Sequence, residues 1–119
     1  MIVRNLEQQT PFTTKDGSTI TSILDASNAP VQNHSLAEAT LLADGDATQR
    51  HYHKLSEESY FIVAGSGVIE INGETREVKL CDAILIPPGA WHTIRATGDF
   101  LRFLCCCAPP YSHEDTYFE

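Results

Sequence analysis

The sequence predicts an all-β protein, and two observations support that class. Short runs rich in β-branched and aromatic residues alternate with turn residues along most of the chain. No stretch carries the apolar spacing of a convincing long helix. Many short strands joined by regular turns are typical of a sandwich or a closed barrel. With 119 residues the chain is long enough for one core, so residues 1–119 are interpreted as one domain.

The first part of the chain predicts an edge region of the sheet. Residues 1–9 are polar and weakly patterned, so they form either a short arm or a first edge strand. Asp16 and Gly17 predict a tight turn. The threonine-rich runs on its two sides, residues 12–14 and 19–24, favour strands.

The middle of the chain contains further strand candidates and one ambiguity. Alanine, leucine and glutamate in residues 36–43 favour a helix when propensity alone is considered. Residues 59–64 are β-branched and aromatic, and Gly65 predicts the end of that strand. Asn72 and Gly73 predict the clearest hairpin, because both central residues of a type I′ turn need a positive φ.

The last third predicts two more strands and a tail. Residues 97–99 predict a turn, and the strand that follows it ends at two consecutive prolines, Pro109 and Pro110. The acidic tail, residues 111–119, carries two aromatic residues near its end. It is therefore predicted either to dock back on the protein through them or to remain a disordered acidic tail. Docking would bring His113, Glu114 and Asp115 to a pocket mouth as a polar lid, and His113 is a candidate base beside Tyr60, but no tail residue is predicted to be needed for the metal site.

Two histidines with one residue between them, His51 and His53, are the strongest functional signal. Strand side chains alternate with period two, so both imidazoles lie on the same face of a strand. Glu58 follows five residues later, and His92 follows a rigid proline–glycine turn. Imidazole and carboxylate groups together are typical of a transition-metal site.

The spacing of these residues resembles the two sequence motifs of the cupin family. The pattern G-x5-H-x-H-x4-E-x6-G is matched by Gly45, His51, His53, Glu58 and Gly65. The pattern G-x5-P-x-G-x2-H-x3-N is matched by Pro87, Gly89 and His92. Cys81 stands where the family usually has glycine, and Ala96 where it usually has asparagine. Neither departure removes a candidate ligand.

The resemblance implies a double-stranded β-helix barrel, the jelly-roll-like cupin fold, over about residues 36–108. Residues 1–35 then form an N-terminal arm with strands, and residues 109–119 form the tail. On the same basis residues 36–43 are expected to be a strand. Small cupins usually pair, so a homodimer is expected, with the N-terminal arm and Trp91 as candidate contacts.

The resemblance also implies that His51, His53, Glu58 and His92 converge inside the barrel and hold one divalent transition metal. Three imidazoles and one carboxylate favour iron or manganese, with zinc, nickel or cobalt as alternatives. An octahedral ion would keep two positions for other ligands, whereas a tetrahedral zinc bound by all four would keep none.

Strand alternation predicts which residues surround the site. Tyr60 shares the face of Glu58 and is a candidate catalytic residue, with a core tyrosine as the alternative. The other candidate pocket residues are Gln49, Ile62, Ile94, Ala96, Phe103 and Cys105. Such a pocket is mostly apolar with a few polar groups, which is typical of a site for a small-molecule ligand or substrate.

Composition excludes several classes of partner. A net charge of −8 opposes binding to nucleic acid or to an anionic membrane surface. The sequence shows no signal-peptide h-region and no apolar run of membrane-spanning length, so a cytoplasmic protein is expected. Its cysteines, Cys81 and Cys105–Cys107, lack C-x-x-C spacing and are interpreted as reduced thiols that act as small buried hydrophobes.

Three functions fit these expectations. The first is a metal-dependent enzyme of dioxygenase type. The second is a redox-neutral metal-dependent isomerase, epimerase or lyase acting on a sugar-like or carbonyl substrate, in which the metal is a Lewis acid. The third is a non-catalytic module that binds a small molecule.

Overall fold

A computed structural model describes residues 1–14 and 16–119, and within them almost all regular structure is β. The strands are β1 (Phe12–Thr13), β2 (Thr19–Leu24), β3 (Ser35–Leu41), β4 (His51–His53), β5 (Glu57–Ile71), β6 (Glu74–Lys79), β7 (Ala83–Ile86), β8 (His92–Ala108) and β9 (Thr116–Phe118). Two short 3-10 helices, Leu6–Gln8 and His113–Asp115, accompany them. The predicted all-β class is confirmed. In these residues no helix is long and apolar enough to cross a membrane.

The sheet is built around its two long strands, β5 and β8. They pair antiparallel along their whole length, from Glu57 opposite Ala108 to Ile71 opposite His92. On one side β8 continues into the order β3, β2, β1, and on another it pairs with β4, which pairs with β9. The remaining strands, β6 and β7, both pair with β5.

Irregular register bends the long strands and curls the sheet into a half-barrel. The pairing of β5 with β8 shifts between Ile62 and Ala64 and again between Gly65 and Ser66. Gly65 has a φ of +80°, and a Cβ there would lie 2.1 Å from the carbonyl oxygen of Phe100. The predicted strand end at Gly65 and the predicted turn at residues 97–99 are therefore wrong. Both places are bulges inside continuous strands, which bend a strand without ending it.

The ambiguous residues 36–43 resolve as a strand. β3 pairs with β2 on one side and with β8 on the other, so ladder pairing overrides the helix propensity of its alanine, leucine and glutamate residues. The predicted hairpin is confirmed, because Asn72 and Gly73 have φ values of 49° and 90° between the paired ends of β5 and β6.

Cys81 stands where the resemblance led us to expect a glycine. Its φ is 73°, so the residue adopts the left-handed conformation that favours glycine. A side chain in this conformation costs roughly 1–2 kcal/mol. The turn before β7 therefore keeps its glycine-like shape in spite of the substitution.

The core fills the concave side of the half-barrel. Its least exposed large side chains are Ile62, Ile86, Ile94, Leu101 and Phe103. Ala96 is completely buried and packs in the same cluster.

The C-terminal tail is docked against the barrel. β9 pairs antiparallel with β4, which places Thr116 opposite His53 and Phe118 opposite His51. Just before β9, the buried carboxylate of Asp115 accepts hydrogen bonds from the backbone N–H groups of residues 54–56, at 2.9–3.2 Å. The docked alternative is confirmed.

Candidate metal centre

The four candidate ligands come from three strands of the half-barrel. His51 and His53 point inward from β4, and both side chains are buried. Register pairing of β4 with β8 sets His92 directly opposite His51. Glu58 projects from the start of β5, between its cross-strand partners Ile86 and Cys107. The H-x-H spacing therefore places both imidazoles on one face of β4, as the sequence predicts.

These side chains form one compact cluster of donor atoms. One donor atom from each residue lies within 4.8 Å of all the others. Glu58 Oε1 is 3.3 Å from Nε2 of His53 and 3.3 Å from Nε2 of His92. Glu58 Oε1 and His92 Nε2 are buried and form no hydrogen bond with the described residues. Unpaired buried polar atoms are costly, so a cation bound between them would satisfy both. The residues fit a metal ion.

Hydrogen bonds at Nδ1 turn two of the three imidazoles toward the same point. His51 Nδ1 lies 2.6 Å from the carbonyl oxygen of Gln49, and His92 Nδ1 lies 2.9 Å from that of Ala90. A carbonyl only accepts, so both rings carry their proton on Nδ1. This leaves the Nε2 lone pair free, which is the form in which an imidazole binds a metal.

The third imidazole is oriented by the tail. The Thr116 hydroxyl donates to the carbonyl oxygen of Ser112, at 2.9 Å. A hydroxyl has one proton, so Thr116 can only accept from His53 Nδ1, which lies 3.2 Å away. His53 therefore also presents Nε2 to the cluster. A tail residue thus contacts a candidate metal ligand, which the sequence did not predict.

The electrostatics of the cluster keep Glu58 ionised and shift the pKa values of two imidazoles in opposite directions. Burial opposes ionisation of Glu58, but His53 and His92 outweigh it and hold the pKa of this carboxyl far below its usual range. Burial, together with the nearby His92, lowers the pKa of His51. Burial also acts to lower the pKa of His53, but Glu58 and Asp115 outweigh it and raise that pKa.

The second oxygen of Glu58 is held by a thiol. Cys107 donates from Sγ to Glu58 Oε2 at 3.2 Å, and both side chains are buried. Burial and the adjacent carboxylate raise the pKa of Cys107 well above its usual value. Burial likewise raises the pKa of Cys105, which lines the cavity beside it. The predicted buried thiol therefore holds for Cys107, whereas Cys81 is exposed.

The cluster opens into a cavity of about 100 Å³. His51, His53 and Glu58 form part of its wall, and so do three of the predicted pocket residues, Tyr60, Phe103 and Cys105. Burial and the negative charge of Glu58 raise the pKa of Tyr60 well above its usual value. Its phenol therefore remains protonated and faces the cavity as a hydrogen-bond donor.

The other four predicted pocket residues lie elsewhere. Ile62, Ile94 and Ala96 share the inward face of their strands with the candidate ligands, as alternation predicts, but they lie farther along the strands, inside the packed core. Gln49 has an exposed side chain, because it precedes β4, where strand alternation does not apply. Its backbone carbonyl, rather than its side chain, serves the site through His51.

Sequence reasoning missed several cavity residues, among them Asp16 and Tyr111. Asp16 appeared only as part of a turn, yet its carboxylate accepts hydrogen bonds from Thr14, from the Ser18 hydroxyl at 2.6 Å and from the Ser18 amide at 2.9 Å. Tyr111 lies just after the prolines and packs edge-on against His53, with a ring-centroid distance of 5.9 Å. Neither residue belongs to a motif, so only the fold brings them to the site.

Comparison with known proteins identifies the family of this chain. The family model for the cupin domain matches residues 38–107. An uncharacterized protein of Methanocaldococcus jannaschii is 45% identical over 107 residues, which cover 89% of this chain and 85% of that protein. A 5-nitrosalicylic acid 1,2-dioxygenase of Bradyrhizobium is 39% identical over 59 residues, which cover 50% of this chain but 28% of the enzyme.

A solved structure gives the same fold. The structure of Streptomyces Pac13, a nucleoside dehydratase, superposes with a TM-score of 0.82 and covers 100% of this chain and 91% of that one. At 18% sequence identity this likeness concerns the fold. The predicted double-stranded β-helix barrel is confirmed.

Proposed function

The chain belongs to the cupin family, and from this premise we propose that it is a metal-dependent enzyme of dioxygenase type that acts on a small molecule. The observation that carries the proposal is the buried cluster of three imidazoles and one carboxylate, with two unpaired donor atoms, at the wall of a cavity. The relative that is named a 5-nitrosalicylic acid 1,2-dioxygenase supports oxygen chemistry within this family.

Iron or manganese is the metal that we propose. Three neutral nitrogen donors and one carboxylate suit these ions, and they accept further ligands. A bound iron would make dioxygen reactive toward the substrate. Protein side chains alone do not provide this chemistry. Zinc, nickel and cobalt fit the same donor set and are expected to compete for it.

The cavity side chains would bind and orient the substrate. Phe103 and Ile20 give it apolar walls, which exclude water and favour a planar or apolar ligand. The protonated phenol of Tyr60 would donate a hydrogen bond to a substrate oxygen beside the metal. At another part of the wall, Asp16 would accept a hydrogen bond from a hydroxyl or amine of the substrate.

The test uses the protein loaded with Fe²⁺ under nitrogen. Nitric oxide substitutes for dioxygen, so we expect it to bind iron that has an open position and to give the electron paramagnetic resonance signal of an iron–nitrosyl with spin 3/2. We also expect the loaded protein to consume oxygen with 5-nitrosalicylate or a related hydroxybenzoate, and the metal-free protein to consume none. Absence of the nitrosyl signal in fully loaded protein would contradict the dioxygenase proposal.

A redox-neutral enzyme is the second candidate, and Asp16 favours it. A Lewis-acid mechanism needs a base, and a carboxylate on the cavity wall can accept a proton where the protonated Tyr60 cannot. His113, by contrast, is exposed and outside the cavity lining. Turnover of a substrate at constant dissolved oxygen would favour this candidate. Ligand binding without any turnover would favour the non-catalytic module.

We also propose that the protein is a homodimer. The outer face of β5 and β7 exposes Phe61 and Leu85, at 38% and 59%, in an apolar patch that the sheet itself leaves uncovered. Trp91, which the sequence suggested as a contact beside the N-terminal arm, packs on Tyr52 of its own chain, with ring centroids 4.7 Å apart. The proposed contact is therefore the Phe61–Leu85 patch.

Sedimentation at micromolar concentration tests the dimer. We expect the wild type to sediment as two 13.1 kDa chains and Phe61→Glu to sediment as one, because a buried unpaired carboxylate opposes association. Glu77→Gln, an exposed change on β6, is the control and should remain dimeric. A monomeric wild type would contradict the proposal.

A further inference from the structure

We propose that Cys107 is a positioning residue of the metal site: its thiol occupies Glu58 Oε2, so that the carboxylate presents only Oε1 to the metal. The inference rests on the proposed metal-dependent function and specifies how one ligand is held. It also gives a role to Cys107, the last of three consecutive cysteines.

The two oxygens of Glu58 have different surroundings. Oε2 accepts the hydrogen bond from Cys107 Sγ at 3.2 Å. Oε1 faces Nε2 of His53 and of His92, each at 3.3 Å, and is one of the two buried atoms with no hydrogen-bond partner among the described residues. One oxygen of the carboxylate thus accepts a hydrogen bond from the thiol, and the other faces the proposed metal position.

The backbone fixes this arrangement. Cys107 is the cross-strand partner of Glu58 in the pairing of β8 with β5. Cys107 is 2% exposed and Glu58 is 5% exposed, so water does not compete for Oε2. A thiol is a weak donor in water, but inside a protein, where no better partner reaches the acceptor, its hydrogen bond is retained.

A carboxylate held in this way would affect how many coordination positions remain open on the metal. A carboxylate that binds through both oxygens takes two positions, whereas one that binds through a single oxygen takes one. Three imidazoles and one oxygen leave two positions of an octahedral ion for other ligands. Cys107 therefore preserves the position that a second substrate atom or dioxygen would need.

The experiment uses Co²⁺ as the probe metal, because its visible absorption depends on the number and arrangement of its ligands. We expect Co²⁺-loaded Cys107→Ala to differ from the wild type in band position and intensity, because Oε2 is released and turns to the metal. Cys107→Ser keeps a donor at this position and should restore the wild-type band. Titration with Co²⁺ gives the affinity of each variant in the same experiment.

The neighbouring cysteines provide matched controls. Cys105→Ala removes a thiol that lines the cavity, and Cys106→Ala removes one from the other face of the strand. Both should keep the wild-type band, and the thermal stability of metal-free protein separates loss of packing from loss of the hydrogen bond. If Cys107→Ala folds and its Co²⁺ spectrum superposes on that of the wild type, the inference is wrong. If the wild type itself binds no Co²⁺, the proposed metal-dependent function fails instead.

Discussion

Replacing His92 with alanine is expected to remove nearly all tightly bound metal while the barrel remains folded. His92 is completely buried and contributes one of the two unpaired donor atoms, so no neighbouring group can take its place. Loss of an outer-shell partner of a metal typically weakens binding about 10- to 100-fold, and loss of a ligand should weaken it by at least ~100-fold. Metal content after dialysis and titration with Co²⁺ measure the effect, and circular dichroism reports the fold.

The chain supplies its own control for this experiment. His34 is an exposed histidine outside the cluster, so His34→Ala should keep full metal content. The double variant His51→Ala/His92→Ala should bind no more metal than a protein without a site. Full occupancy in that double variant would refute the assignment of the ligands.

Deleting residues 111–119 is expected to weaken both the fold and the metal site. The deletion removes the carboxylate that caps the N–H groups of residues 54–56, and leaving buried donors unpaired costs roughly 1–3 kcal/mol. It also exposes apolar surface under Tyr111 and Phe118, which adds about 1–2 kcal/mol at 25 cal/mol per Å². A fall of roughly 2–5 kcal/mol in the free energy of unfolding follows. Denaturant unfolding of metal-free protein measures it.

A point substitution separates the effect on the metal from the effect on the fold. Thr116→Val keeps a β-branched side chain in β9 but removes the acceptor of His53 Nδ1. We expect about tenfold weaker metal binding, as for other outer-shell partners, with little change in unfolding. Thr116→Ser should restore the affinity. If neither the deletion nor Thr116→Val changes metal affinity, the tail has no part in orienting His53.

The sequence identifies two of the four candidate ligands because their spacing follows directly from strand geometry. His51 and His53 need only an alternating strand to face the same way, and that strand forms as predicted. Glu58 and His92 were placed by the family resemblance, which carries long-range information that local periodicity lacks. The family and the barrel follow from the same two motifs.

The rest of the site depends on features that alternation does not describe. Ile94 and Ala96 were predicted at the cavity because alternation gives the face of a strand and not the distance along it; both share the inward face of His92 but lie farther along β8, in the packed core. Asp16 and Thr116 reach the site through a hairpin and a tail that are distant in sequence. Their local sequences show a turn and an acidic segment, and neither pattern indicates that the residue lies at the site.

The pairing of β9 with β4 has a consequence for the order in which the parts of the site are made. His53 and Thr116 are 63 residues apart, so translation reaches the acceptor of His53 Nδ1 long after His53 and after the other three candidate ligands. In that interval the His53 ring lacks the acceptor that fixes its tautomer, and it can offer either nitrogen to a passing cation. Only when the final strand has been translated and added to the sheet does the ring become committed to Nε2. A chain that lacks β9 is therefore expected to hold the His53 ring in a less defined orientation.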